Sequence, residues 1–108
     1  MVITIFRSRL RPEHENEYTE WATRMRDLAS NMPGFLAIKT FTAEDGERVS
    51  IVEFESEETM SQWREQADHR QAQELGQKLF YSEYRIQVCQ PIRDYSFPKK
   101  TGAPATSV

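Results

Sequence analysis

Only one cysteine, Cys89, occurs in this 108-residue sequence, so no disulfide forms within the chain and no cysteine-rich metal site can be built. The two histidines, His14 and His69, lie far apart and lack a ligand cluster around either, which argues against a structural zinc. No apolar run approaches the ~20 residues that span a bilayer. The apolar start, Met1 to Phe6, is interrupted at once by Arg7, too soon for a signal peptide. The expectation is a cytoplasmic protein with no membrane partner. A basic excess is also lacking, because 14 Lys and Arg are scattered among 17 Asp and Glu, for a net charge of −3. Nucleic acid is bound through a basic footprint and is not an expected partner. Neither a G-x-G-x-x-G run nor a phosphate loop is present, and no cofactor is expected.

What the chain does contain is periodicity. Residues 2–10 are rich in β-branched and apolar types and read as a strand. Pro12 then suits a first helical turn, and Tyr18, Trp21, Ala22, Met25, Leu28, Ala29 and Met32 recur at steps of three and four. That stripe predicts a helix of about five turns, ended by Pro33-Gly34. Two apolar stretches follow, Phe35 to Ala43 and Arg48 to Glu55, joined through Asp45-Gly46. Asp-Gly predicts a hairpin with a type I′ turn, in which both central residues take positive φ. Ser56 is a good N-cap for a second helical region. That region is expected to break near Ala67 and restart at Asp68, which has capping-box spacing to Gln71. Tyr84, Ile86 and Val88 alternate with Arg85, Gln87 and Cys89 in a last strand limited by Pro91. Residues 1–97 read as one domain, and 98–108, with Pro98, Gly102 and Pro104, as a flexible tail.

The order strand, helix, hairpin, helix, strand predicts an α+β fold: a ferredoxin-like βαββαβ sandwich with a four-stranded antiparallel sheet and its helices on one face. The uncovered face should then be polar at every second position. It is not. Val2 and Phe6 oppose Ile3 and Ile5. On the second strand, Phe35, Ala37 and Phe41 oppose Leu36 and Ile38, and on the third Val49 and Ile51 oppose Val52 and Phe54. Exposing several hundred Å² of such surface is costly at ~25 cal/mol per Å². A symmetric sheet-on-sheet homodimer is the expected solution.

The segment WREQADHRQAQELGQKLFYSEYRIQVCQPIRDY, opening at Trp63, resembles the antibiotic biosynthesis monooxygenase (ABM) domain family, as does NMPGF at Asn31 to Phe35. The resemblance spans roughly residues 1–97. It implies a dimeric α/β barrel with a pocket between the sheet and the second helix of each protomer. Cofactor-free quinone-forming oxygenases and heme-degrading oxygenases both belong to this family. The residues that the heme-degrading branch requires, an Asn in the first strand and a His about ten residues past the Trp, are matched here by Phe6 and Gln73, which removes the axial ligand. The Trp of the quinone-forming branch is matched by Trp63, its Asn one turn earlier by Thr59, and a pocket arginine by Arg85.

Three residues are the catalytic candidates. Trp63 either stacks on an aromatic substrate and mediates electron transfer, or anchors the core. As a general base, His69 would deprotonate a phenol so that the anion can reduce oxygen; otherwise it is a solvated helix residue. Arg85 stabilises a phenolate or peroxide charge, or pairs with Glu53 or Glu83. Tyr81 and Tyr84 line a pocket or simply pack, Cys89 behaves as a small apolar residue, and His14 is solvated. Six helical steps leave Trp63 and His69 about 120° apart, so only a helix break turns both toward one cavity. Three functions compete: a cofactor-independent monooxygenase of a small aromatic or phenolic compound, a non-catalytic dimeric module binding a small hydrophobic molecule, and a heme-binding protein.

Overall fold

The computed structural model describes residues 1–98; the expected tail, apart from Pro98, lies outside them. Strand β1 (Val2–Leu10) leads through a 3₁₀ turn at Pro12–His14 into helix α1 (Glu15–Ser30). Strands β2 (Phe35–Thr42) and β3 (Arg48–Phe54) form the hairpin, helices α2 (Glu57–Glu65) and α3 (Ala67–Leu75) follow, and a π-helical turn at Gly76–Phe80 delivers strand β4 (Tyr81–Cys89). The four strands form one antiparallel sheet in the order β2-β3-β1-β4. This is the ferredoxin-like α+β sandwich expected from the sequence.

Gly34 fixes the start of β2. Its φ of +78° suits glycine, and a Cβ there would sit 2.5 Å from the Thr59 hydroxyl. Thr59 is held in turn by Ser56, since each side chain meets the other's backbone N–H in a reciprocal capping box. The close approach therefore ties the β2 entrance to the first turn of α2.

Three local details depart from the sequence expectations. In the hairpin only Gly46 has positive φ, at 91°, and Asp45 does not. The Gly46 N–H donates to Ala43 C=O at 3.0 Å, and Ala43 N–H donates to Glu47 C=O at 2.8 Å. That is the longer loop in which an ordinary turn is followed by one left-handed glycine, rather than type I′. In β2, Phe35 pairs with Phe54 while Ala37 pairs with Glu53, leaving Leu36 as a bulge. The extra residue turns Phe35 to the same side as Ile38, where both pack on the core. Finally, the second helical region breaks at Gln66, whose ψ of 134° is extended. The cap of α3 is the Gln66 side chain, not Asp68: its Oε1 accepts from the His69 backbone N–H at 3.0 Å.

The core lies between the sheet and the helices and is built from Val2, Val52, Phe54, Ala29, Met60 and Trp63. All the strand members are even-numbered, as alternation requires. Ile3 and Ile5 of β1 and Val49 and Ile51 of β3 therefore fall on the other face, with Ile5 directly opposite Ile51. The helices leave that face uncovered. Among the described residues, no helix is long and apolar enough to cross a membrane.

Candidate functional site

Where the core is interrupted, a cavity of about 380 Å³ opens between the sheet and the helices, within the range of small-molecule sites. Its floor comes from even-numbered strand residues, Thr4, Phe6, Thr40 and Ser50 among them, and its walls from α1, α2 and α3. Thr40 and Ser50 share a hydrogen bond of 2.8 Å, and the Thr4 hydroxyl donates to Met60 Sδ at 3.2 Å. Toward β4 the walls become aromatic. Phe6 meets Tyr81 edge-on with ring centroids 5.3 Å apart, and Tyr18 meets both Phe80 and Tyr81 at 5.7 Å.

Trp63 and His69 meet at the opposite wall. Their rings stack at 4.0 Å between centroids and 12° between planes, although a continuous helix would point them apart. The break at Gln66 supplies the necessary turn. Trp63 is buried at 6% exposure, and His69 covers it as both line the cavity. His69 Nδ1 lies 3.1 Å from the Trp63 carbonyl oxygen. A carbonyl can only accept, so Nδ1 carries the proton and Nε2 is left as an acceptor. Burial pushes the imidazole below its ordinary value, the Trp63 carbonyl opposes that shift, and the charge of Arg64 adds to it. Together these hold His69 neutral near pH 7, with Nε2 having no hydrogen-bond partner among the described residues. A side chain in that state is equipped to take a proton.

Arg85 is not brought to the same place. Alternation sets it on the uncovered face, opposite Arg7 of β1, while its neighbours Tyr84 and Ile86 line the cavity. Nor does it pair with either suggested carboxylate among the described residues, and Glu83 is bound by Arg9 at 3.0 Å. Phe6 and Gln73 do line the cavity. Thr59 is occupied instead in capping α2. Cys89 is half-buried.

Tyr81 and Tyr84 belong to the cavity wall. Burial, followed by the neighbouring Tyr18 phenol, pushes the Tyr81 hydroxyl well above its ordinary value, with Arg48 pulling the other way. It therefore stays protonated. Tyr84 accepts a hydrogen bond from Gln77 Nε2 at 2.8 Å. Tyr18, Trp21 and Arg26 of α1 join the site without any motif of their own. The available signal was position, since the helix stripe that packs on the core also roofs the cavity.

Comparison with known proteins agrees with this architecture. The chain is 30% identical over 94 residues to YqjZ of Bacillus subtilis (strain 168), covering 87% of this chain and 82% of that protein. Its fold is similar to Rv0793 from Mycobacterium tuberculosis, with a TM-score of 0.78 at 18% identity over 88% of this chain and 98% of the other. It is also similar to SnoaB, a cofactor-independent oxygenase from Streptomyces nogalater, with a TM-score of 0.75 at 13% identity over 91% and 97%. At such identities these two structures speak for the fold alone. The family model for antibiotic biosynthesis monooxygenase matches residues 1–75, which carry β1 through α3 and with them both Trp63 and His69, and the chain belongs to that family.

Proposed function

We propose that the protein is a monooxygenase that oxidises a small aromatic, phenolic compound with molecular oxygen, the substrate itself supplying the electrons. The observation that carries this reading is the state of His69: neutral, oriented by the Trp63 carbonyl, without a hydrogen-bond partner on Nε2 among the described residues, and part of the lining of an aromatic cavity. Family membership supports it, and SnoaB is a fold relative for which oxygenation without a cofactor is stated.

In this scheme Nε2 takes the phenolic proton, and the resulting anion is electron-rich enough to reduce oxygen. One oxygen atom bonds to the ring carbon, and the other leaves as water with the two hydrogens that the substrate gives up. Trp63 stacks behind the imidazole, fixing its plane and keeping water from one side of the base. The uncovered sheet face, with Ile3, Ile5, Val49 and Ile51, supports a homodimer in which two such faces pack together.

Oxygen consumption with a panel of anthrone-like and hydroquinone substrates tests the proposal. His69→Ala is expected to lower turnover by roughly 10²–10⁴-fold with the far-UV spectrum unchanged. Trp63→Phe should cost less if the ring only stacks, and as much if the indole carries an electron. An unaltered rate in His69→Ala would remove the base from the mechanism. Tight binding of the same compounds without oxygen uptake would make the protein a binding module.

A further inference from the structure

Arg48 is in an unusual position. It opens β3 on the covered face, in one row with Thr42, the buried Ser8 and Tyr84. Its guanidinium lies over the Tyr18 ring, 5.3 Å from the centroid. The Nε atom is buried and has no hydrogen-bond partner, and no carboxylate forms an ion pair with Arg48 among the described residues. A guanidinium keeps its charge in proteins; Arg48 as a whole is half-buried, with Nε the nitrogen that is enclosed. Beside it is a recess of about 150 Å³, whose lining shares Tyr18, Ala22 and Arg26 with the main cavity. Arg26 enters from α1, donates to Thr40 Oγ1 at 3.3 Å, and likewise forms no ion pair among the described residues. The one acidic residue lining the recess, Glu15, is exposed and beyond ion-pair distance of both arginines. Two arginines, one half-buried and one exposed, thus line a small recess that neighbours the aromatic cavity across Tyr18, Ala22 and Arg26, and no carboxylate of the described residues pairs with either.

We propose that this recess is an anion subsite of the cavity, where Arg48 and Arg26 hold a carboxylate carried by the aromatic ligand while its rings occupy the main cavity. The substrate class narrows accordingly to aromatic acids. The inference rests on the reading that the cavity binds an aromatic molecule, but not on the oxidation step. Planar delocalised guanidinium forks suit a carboxylate better than any neutral group. The Tyr81 hydroxyl, on the wall of the main cavity and close enough to Arg48 to be influenced by its charge, is a protonated donor nearby.

The test uses the full chain and a pair of probes that need no turnover, anthraquinone-2-carboxylate and its methyl ester, titrated by quenching of tryptophan fluorescence. The acid is expected to bind at least about ten-fold more tightly than the ester, and the preference should shrink with added salt. Arg48→Met should abolish the preference and leave ester binding unchanged. Arg26→Met should weaken it, and Arg48→Lys, keeping charge without the fork, should retain part of it. These last two carry the same readout if Arg48→Met fails to fold. Equal binding of acid and ester by the unaltered protein overturns the proposal, as does a preference that survives the double substitution. Binding of neither probe overturns both this subsite and the aromatic-cavity reading. Acid preference without oxygen uptake from any substrate leaves the subsite standing and removes only the oxidation. A melting temperature raised by inorganic phosphate through Arg48, with acid and ester still equal, assigns the recess to a free anion and overturns the carboxylate.

Discussion

The two faces of the sheet invert the usual expectation for which side should be greasier. The face under the helices has a buried centre at Val52 and Phe54, yet the neighbouring positions are Thr4, Thr40 and Ser50. The face without helices carries Ile3, Ile5, Val49 and Ile51 on its two central strands, with charges around them: Arg7 pairs with Glu47 and Arg9 with Asp45, while Glu53 lies opposite Ile3 and Lys39 opposite Ile51. A solidly packed core would not concentrate hydroxyls at its centre, because each one buried needs a partner. A cavity floor would. Polar residues on the covered face therefore mark where packing gives way to a site, and the apolar row on the two central strands of the bare face is the surface that the proposed homodimer would cover.

Substitutions at neighbouring positions separate the two faces most sharply. Val52→Asp introduces a charge into the core and is expected to cost more than about 4 kcal/mol, enough to leave little folded protein by circular dichroism. One residue away, Ile51→Asp should leave a folded chain that sediments as a 12.7 kDa monomer rather than as a dimer. Matching outcomes for the two substitutions would erase the distinction between the faces.

A smaller effect belongs to the covered face through His69. Its folded value is lowered from 6.5, so between the two values the unfolded chain binds the extra proton. Stability then rises with pH across that window. The contribution is complete above about pH 6.5 and is lost as pH falls through the folded value. Urea melts between about pH 7 and pH 5 should show this slope in the unaltered protein and lose it in His69→Gln. Turnover should follow the neutral imidazole, rising with pH to a plateau with its midpoint below 6.5. Smallest of all is Arg85→Ala on the bare face, expected to change oxidation by less than about two-fold. A large loss there would mean that the bare face also serves the site.

Much of this was legible in the sequence because it depends on periodicity. The α1 stripe, the alternation of β1 and β3 and the need for a break between Trp63 and His69 all follow from the repeat of a helix or strand. What escaped was set by single residues whose effect is not periodic. The bulge at Leu36 reverses the side of Phe35, and no residue type announces it. Gln66, not a preferred capping type, takes the cap because α3 starts at Ala67 and so leaves Asp68 inside its first turn, while the Gln66 side chain accepts from the His69 N–H. The direction of Arg85 escaped for a simpler reason: a resemblance supplies a residue type, while the side on which it lies requires strand register, which sets it opposite Arg7. Arg48 was missed because a charged residue opening a strand ordinarily belongs to solvent.

The break at Gln66 also works as a ruler. It fixes how far along the chain an imidazole must lie from the indole for the two rings to meet. Adding or removing one residue in that interval would rotate the histidine by about 100°, turning it off the indole face. A homologue with a different count between these two rings would lose the stacked pair, and the length of this short stretch becomes a criterion for sorting relatives that share the fold from those that share the proposed site.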